Sequence, residues 1–182
     1  MSDPRQEAES VMHQADCVHD RATVERALDR MAAEIERDMA GDDVVVLCVM
    51  NGGLVAAGML LPRLSFLLRV DYLHASRYRE QTSGDELHWK VNPTQPLADR
   101  HLLIIDDILD EGYTLDAIIR FCQRAGPASL RAAVLVQKQH RRGIRPRVDY
   151  VGLHVPDRYV FGYGMDYKGY WRNAPGIYAV GE

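Results

Sequence analysis

The densest chemistry in the chain lies at residues 102–115, which read LLIIDDILDEGYTL. Four acids, Asp106, Asp107, Asp110 and Glu111, fall within six residues, directly after four apolar ones. An apolar run of that kind is a buried strand. Asp106 and Asp107 then leave it at a point where desolvation is costly unless hydroxyls, a cation or water meet them. Gly112 permits close approach of the backbone, and the Thr114 hydroxyl sits beside a helix start, a combination that suits a phosphate group. Acids and glycine before a helix are also ordinary capping choices. Residue chemistry alone therefore leaves two readings open, a ligand-binding strand end and a capped turn with solvated acids.

The elements around this segment imply an α/β fold with a central, mainly parallel sheet flanked by helices. Val24, Ala27, Leu28, Met31, Ile35 and Met39 recur at three- and four-residue intervals, predicting an amphipathic helix over residues 20–39. The β-branched run VVVLCV at 44–49 is too short for a helix and reads as a buried strand. A glycine turn and a helix over 54–64 follow it, completing a βα unit. Further strands are expected at 66–73, 102–105, 132–136 and 150–153, with a helix over 114–125, in a βαβ-like order throughout. The polar stretch 78–96 lacks periodicity and reads as the one long loop, of the kind that often forms a lid.

The 182 residues suit one domain over 1–182, at 47% hydrophobic and 26% charged composition. A formal charge of −4 offers no global attraction to nucleic acid. The local cluster Arg141, Arg142, Arg145 and Arg147 reads as a solvated basic loop, with phosphate contact as the alternative. Cys17, Cys48 and Cys122 show no CxxC spacing, so neither a disulfide framework nor a zinc site is indicated and a reducing cytoplasm is expected. No run approaches the roughly 20 apolar residues of a membrane span, and no membrane partner is expected.

Residues 102–114 resemble the signature of the type I phosphoribosyltransferases: four apolar residues, two acids, two apolar residues, Asp, usually Thr, Gly, a variable residue and Thr. Glu111 replaces the usual Thr, and Tyr113 the usual basic or small residue. The resemblance implies that Asp106 and Asp107 bind the ribose hydroxyls of phosphoribosyl pyrophosphate. The loop of Asp110, Glu111, Gly112, Tyr113 and Thr114 would hold its 5-phosphate, with the Glu111 side chain turned away. It extends over about residues 44–178 through further motifs in family order. Asn51, Gly52 and Gly53 are similar to the pyrophosphate loop, although Asn51 replaces a Lys or Arg and shifts that work to backbone N–H groups, magnesium and other cations. Arg77 and Tyr78 resemble the Ser-Tyr element of the family's lid, placed at about 76–96. A lid would exclude water from an oxocarbenium-like ribose.

The segment VPDRYVFGYGMDYKGYWR at 155–172 resembles the hypoxanthine-guanine branch, with a small base-binding hood spanning about 155–175. By that resemblance Tyr159 stacks on the purine and Val160 contacts it through its backbone. Asp166 reaches both base and magnesium, and Arg172 lies near pyrophosphate. Lys138 donates to the purine 6-oxo group, which would exclude a 6-amino purine. Magnesium is the implied cofactor, shared among Asp166, Asp106, Asp107 and substrate oxygens. Asp110 is the implied general base near purine N7, a carboxylate whose pKa a closed site would raise. Phosphoribosyl pyrophosphate and hypoxanthine or guanine are the implied substrates. A xanthine-preferring enzyme and a phosphoribosyl-pyrophosphate-sensing nucleic-acid regulator of the same fold are the alternatives. The family tends toward dimers and tetramers. The first forty residues fit its leading helix and carry no assigned chemistry.

Overall fold

The structure, a computed structural model, describes residues 3–77 and 87–181, with only the backbone at 76, 77 and 87. After the short helix α1 (Pro4–Gln14) and strand β1 (Asp16–His19), the long helix α2 (Arg21–Met39) begins at Asp20. The Asp20 carboxylate accepts the Thr23 N–H at 2.8 Å, an N-cap that satisfies one of the helix's free donors. The expected apolar stripe, Val24 to Met39, is fully sequestered. Strand β2 (Val44–Val49) is buried at every position, as a strand covered on both faces must be. Then follow α3 (Gly53–Leu60), a 3-10 turn (Leu61–Arg63), β3 (Leu68–Arg77), β4 (Leu87–Val91), β5 (His101–Leu109), α4 (Tyr113–Arg124), β6 (Ser129–Lys138), β7 (Tyr150–Val155), β8 (Val160–Phe161) and β9 (Ile177–Ala179).

The main sheet has the order β4-β3-β2-β5-β6-β7. All its pairings are parallel except that of β3 with β4. Side chains alternate across it, so Val44, Val46, Leu103, Ile105 and Leu135 pack under α2 and α3. Val45, Leu47, Leu102, Ile104 and Val134 pack under α4. The α/β sheet flanked by helices is as the sequence implies. One arrangement matters for function: β2 connects through α3 to β3 on one side, whereas its neighbour β5 connects through α4 to β6 on the other. Between two strands whose connections part in this way a crevice opens outside their carboxyl ends.

Several local expectations need correction. Strand β3 begins later than expected and runs on through Arg77, and the supposed loop 78–96 contains strand β4. That strand alternates weakly and takes its place by pairing with β3, through His74 with Val91 and Ala75 with Trp89. A βαβ-like order therefore fails at two places. One is the antiparallel β4, and the other is a separate antiparallel sheet β1-β9-β8. In the second sheet Asp16 pairs with Ala179 and Val160 with Ala179 from the other side, so the N-terminal strand is built into the C-terminal hood. The helix expected over 54–64 breaks into α3 and the 3-10 turn where Pro62 removes a donor. Asp106 and Asp107 lie inside β5, which continues to Leu109.

Asp71 on β3 is a third buried acid beside Asp106 and Asp107, and one that the sequence did not single out. It is 7% exposed and accepts the N–H groups of Thr94 at 2.6 Å, Gln95 at 2.7 Å and Tyr72 at 2.7 Å, together with the Thr94 hydroxyl at 3.2 Å. Burial pushes its carboxyl up, and these donors outweigh that and hold it below the usual range. Its role is to pin the chain after β4 onto the sheet.

Candidate active site

A cleft of about 940 Å³ opens at the crevice between β2 and β5. Asn51, Gly52, Asp106, Asp107, Asp110, Glu111, Gly112, Tyr113, Thr114 and Arg172 all line it. Glycines let its walls meet. A Cβ on Gly52 would overlap the Asp107 carboxylate. Gly112 adopts φ +84°, and a Cβ there would strike the Ile144 carbonyl, so both the conformation and the space demand glycine. Gly53 opens α3 against the Ile105 carbonyl.

Asp106 and Asp107 are 8% and 9% exposed. Their neighbours differ from those of Asp71. The Asp107 N–H donates to Asp106 Oδ1 at 2.9 Å, and the Ile108 N–H to Asp107 Oδ1 at 2.8 Å. Among the described residues neither carboxylate forms an ion pair with a cation. Burial raises both carboxyls, and Asp107 beside it raises Asp106 further. Two adjoining buried acids without a cation are a costly arrangement in the free protein. It suits hydroxyl donors or a hard divalent cation arriving with a ligand.

Asp110 behaves in the opposite way. Its Oδ2 receives Lys138 Nζ at 2.7 Å, and its Oδ1 lies 2.6 Å from His140 Nε2. Desolvation raises its carboxyl, but Lys138 and His140 together bring it below the usual range. In this conformation both oxygens are occupied by donors, which favour the anion. Glu111 sits half exposed with its carboxylate 4.0 Å from Arg142.

The hood closes one side. Gly164, at φ +107°, presses on the Gly52 carbonyl so that no side chain would fit between them. Arg172 donates to the Gly164 carbonyl and pairs with Asp166. Asp166 also accepts the Gly169 N–H at 2.6 Å, so this acid is joined to Arg172 and does not line the cleft. Tyr159, at the edge of β8 beside Val160, is 52% exposed and donates to the Asp166 carbonyl at 3.0 Å. Its ring is therefore held at one end, meets the Tyr167 ring edge to face with centroids 5.5 Å apart, and leaves about half of its surface exposed. Lys138, 11% exposed at its side chain, reaches the cleft through Asp110. The backbone of Arg77 ends β3, and Tyr78 lies outside the described residues.

Sequence reasoning missed three residues. Lys90 and His74 line the cleft from β4 and β3. Lys90 was hidden because the segment containing it read as a loop, yet it lies on β4 where the pairing with β3 shifts register, between Trp89 and Val91, and lines the cleft from there. His140 sits in the arginine-rich loop, where neighbouring charges marked it only as part of a solvated stretch. That loop is in fact tied down: Arg142 pairs with Asp157, Arg145 donates to the Asp110 carbonyl at 3.1 Å, and Arg147 pairs with Asp149.

A profile of the phosphoribosyl transferase domain matches residues 14–168. Hypoxanthine-guanine phosphoribosyltransferase of Mus spretus is 29% identical over 164 residues, covering 85% of this chain and 77% of its own. The human enzyme of that name is 28% identical, with 85% and 75% covered. The crystal structure of a hypoxanthine phosphoribosyltransferase from Staphylococcus aureus superposes with a TM-score of 0.87 at 28% identity, covering 93% of this chain and 94% of that one. With the strand-end acids, the glycine turn and the hood all set around one crevice, the chain belongs to the phosphoribosyltransferase family.

Proposed function

We propose that the chain transfers the phosphoribosyl group of phosphoribosyl pyrophosphate to hypoxanthine or guanine with the help of magnesium, releasing pyrophosphate. The observation that carries this reading is the pair Asp106 and Asp107, buried and raised in proton affinity at the floor of a cleft, just before the turn that begins at Asp110. Such a pair is matched by the two vicinal hydroxyls of a ribose. The turn from Asp110 to Thr114 offers backbone N–H groups at the start of α4, where a phosphate is favoured. Asn51 and Gly52 would meet the pyrophosphate, with Arg172 and Lys90 supplying the charge that Asn51 lacks.

The donor set also fits magnesium. Its hard oxygens suit the ion, and no three acids, histidines or cysteines converge among the described residues, so the ion would complete its shell with substrate oxygens. Asp106 and Asp107 would hold it, joined by Asp166 once Arg172 turns to the leaving group. When bound, magnesium supplies neutralisation of the departing pyrophosphate.

In the displacement, a purine nitrogen forms its bond to ribose C1 as the bond to pyrophosphate breaks. Tyr159 would stack on the base. Lys138 would leave Asp110 for the 6-oxo group, freeing Oδ2 to accept the proton near N7. A 6-amino purine offers a donor to that ammonium and leaves it unpaired. Incubation with phosphoribosyl pyrophosphate, magnesium and hypoxanthine should yield a nucleoside monophosphate by mass spectrometry. Binding of phosphoribosyl pyrophosphate without product, together with salt-dependent retention of RNA or DNA, would instead support the regulator.

A further inference from the structure

The environment of His140 points to a role in holding Asp110. Its ring is 5% exposed, and its two nitrogens are committed to different partners. Nδ1 lies 3.1 Å from the Arg142 backbone N–H, which can only donate, and 3.2 Å from Arg145 Nη2, also a donor. Nδ1 therefore carries a lone pair, the proton resides on Nε2, and Nε2 donates to Asp110 Oδ1 at 2.6 Å. The loop that presents the ring is fixed to the phosphate turn at several points. The Ile144 N–H donates to the Glu111 carbonyl at 2.8 Å, and Arg145 donates to the carbonyls of both His140 and Asp110. Gly143, at φ +73°, packs on the Glu111 carbonyl so closely that no side chain would fit.

We propose that His140, as a neutral Nε2–H imidazole, is the positioning residue of Asp110: it stays on Oδ1 throughout turnover, while Lys138 is released from Oδ2 to the base. This rests on the assignment of Asp110 as proton acceptor. The two donors divide the work. Lys138, at the end of β6, is needed twice, by the carboxylate in the free protein and by the purine oxygen in the complex. Without a second donor, Asp110 would lose its anchor at the moment it must point at the purine proton. Among the described residues His140 Nε2 serves no acceptor besides Asp110, so its hydrogen bond persists. The charged groups around the ring are Asp110 from the turn after β5, Lys138 from β6, Arg142 and Arg145 from its own loop, and Glu111 and Asp157 through Arg142.

The test combines kinetics with ring spectroscopy. In the wild-type protein, nitrogen NMR of the His140 ring should find Nε2 protonated and Nδ1 bare at neutral pH; the reverse tautomer would overturn the proposal whether or not the protein turns over. His140→Ala should lower kcat by about 10- to 100-fold, the loss expected when a hydrogen bond to a charged group is removed. KM for phosphoribosyl pyrophosphate should change less than threefold, roughly the scatter between related sites. The acid limb of its pH–rate profile should move to higher pH, because a donor that favours the carboxylate has gone. His140→Gln, which can return an amide N–H, should restore most of kcat and move the limb back. Equal kcat in wild type and His140→Ala, or a fall in kcat with an unmoved limb and no rescue by Gln, would overturn it. Absence of turnover in the wild type with every 6-oxopurine would count against the proposed reaction and leave the tautomer result standing.

Discussion

At the level of single residues, burial of an acid has two meanings in this protein. Asp71 is surrounded by donors and held low, so its ionised form stabilises the fold. A folded-state pKa below the unfolded one contributes stability that is present above the unfolded value, near 3.9, and lost as pH falls through the folded value. Asp71→Ala should therefore cost about 2–4 kcal/mol at pH 7 by orphaning three backbone N–H groups. The gap to wild type should narrow in denaturant titrations as pH falls below the unfolded value and Asp71 takes up a proton. Asp106 has the opposite sign. Its raised carboxyl penalises the ionised folded form at neutral pH, and the penalty disappears as pH falls below the unfolded value. Asp106→Asn should stabilise the free protein by on the order of 1–2 kcal/mol in thermal melts while abolishing calorimetric binding of phosphoribosyl pyrophosphate. Sequence alone marked Asp106 and Asp107 because they follow an apolar run. It could not mark Asp71, whose donors other than the adjacent Tyr72 N–H come from Thr94 and Gln95, more than twenty positions away.

At the level of elements, strong periodicity or continuous apolar character made α2, β2, β5, α4 and β6 legible, since each carries in its own residues the pattern of the face it buries. β4 and β1 were not legible. Both are short edge or hood strands whose stability comes from partners remote in sequence, β3 for one and β9 for the other. Missing β4 also concealed Lys90. If that lysine compensates for Asn51, Lys90→Ala should raise KM for phosphoribosyl pyrophosphate about tenfold, with kcat for a saturated enzyme little changed. An unchanged KM in initial-rate measurements would remove Lys90 from the pyrophosphate subsite. The junction between hood and cleft depends on Gly164. Its positive φ and the nearby Gly52 carbonyl leave no room for a methyl group, so Gly164→Ala should cost about 2–4 kcal/mol in chemical denaturation and reduce activity further by shifting the loop at Gly52.

At the level of the whole molecule, the chain joins its two ends to make one site. α1 reaches the hood through the Trp171 indole, which donates to the Ala8 carbonyl at 2.7 Å, and through Glu7, which accepts from Tyr167 at 2.8 Å and pairs with Lys168. The sheet supplies the acids, and the hood supplies Tyr159 and Arg172. The parting of connections between β2 and β5 places the crevice between them. Among the described residues no helix is long and apolar enough to cross a membrane. The type of fold and the strand-end acids could be read from sequence because they are local patterns. The pairing of Asp166 with Arg172 and the double hold on Asp110 could not, because they depend on how sheet, loop and hood come together.

The central claim is that Asp110 and Lys138 serve transfer to a 6-oxopurine, and the most direct measurement is nucleotide formation from phosphoribosyl pyrophosphate and magnesium with hypoxanthine, guanine, xanthine and adenine in turn. Hypoxanthine or guanine should be converted and adenine should not, with Asp110→Asn slower by about 10²- to 10⁴-fold. Conversion of adenine at a comparable rate, or full activity in Asp110→Asn, would contradict the account.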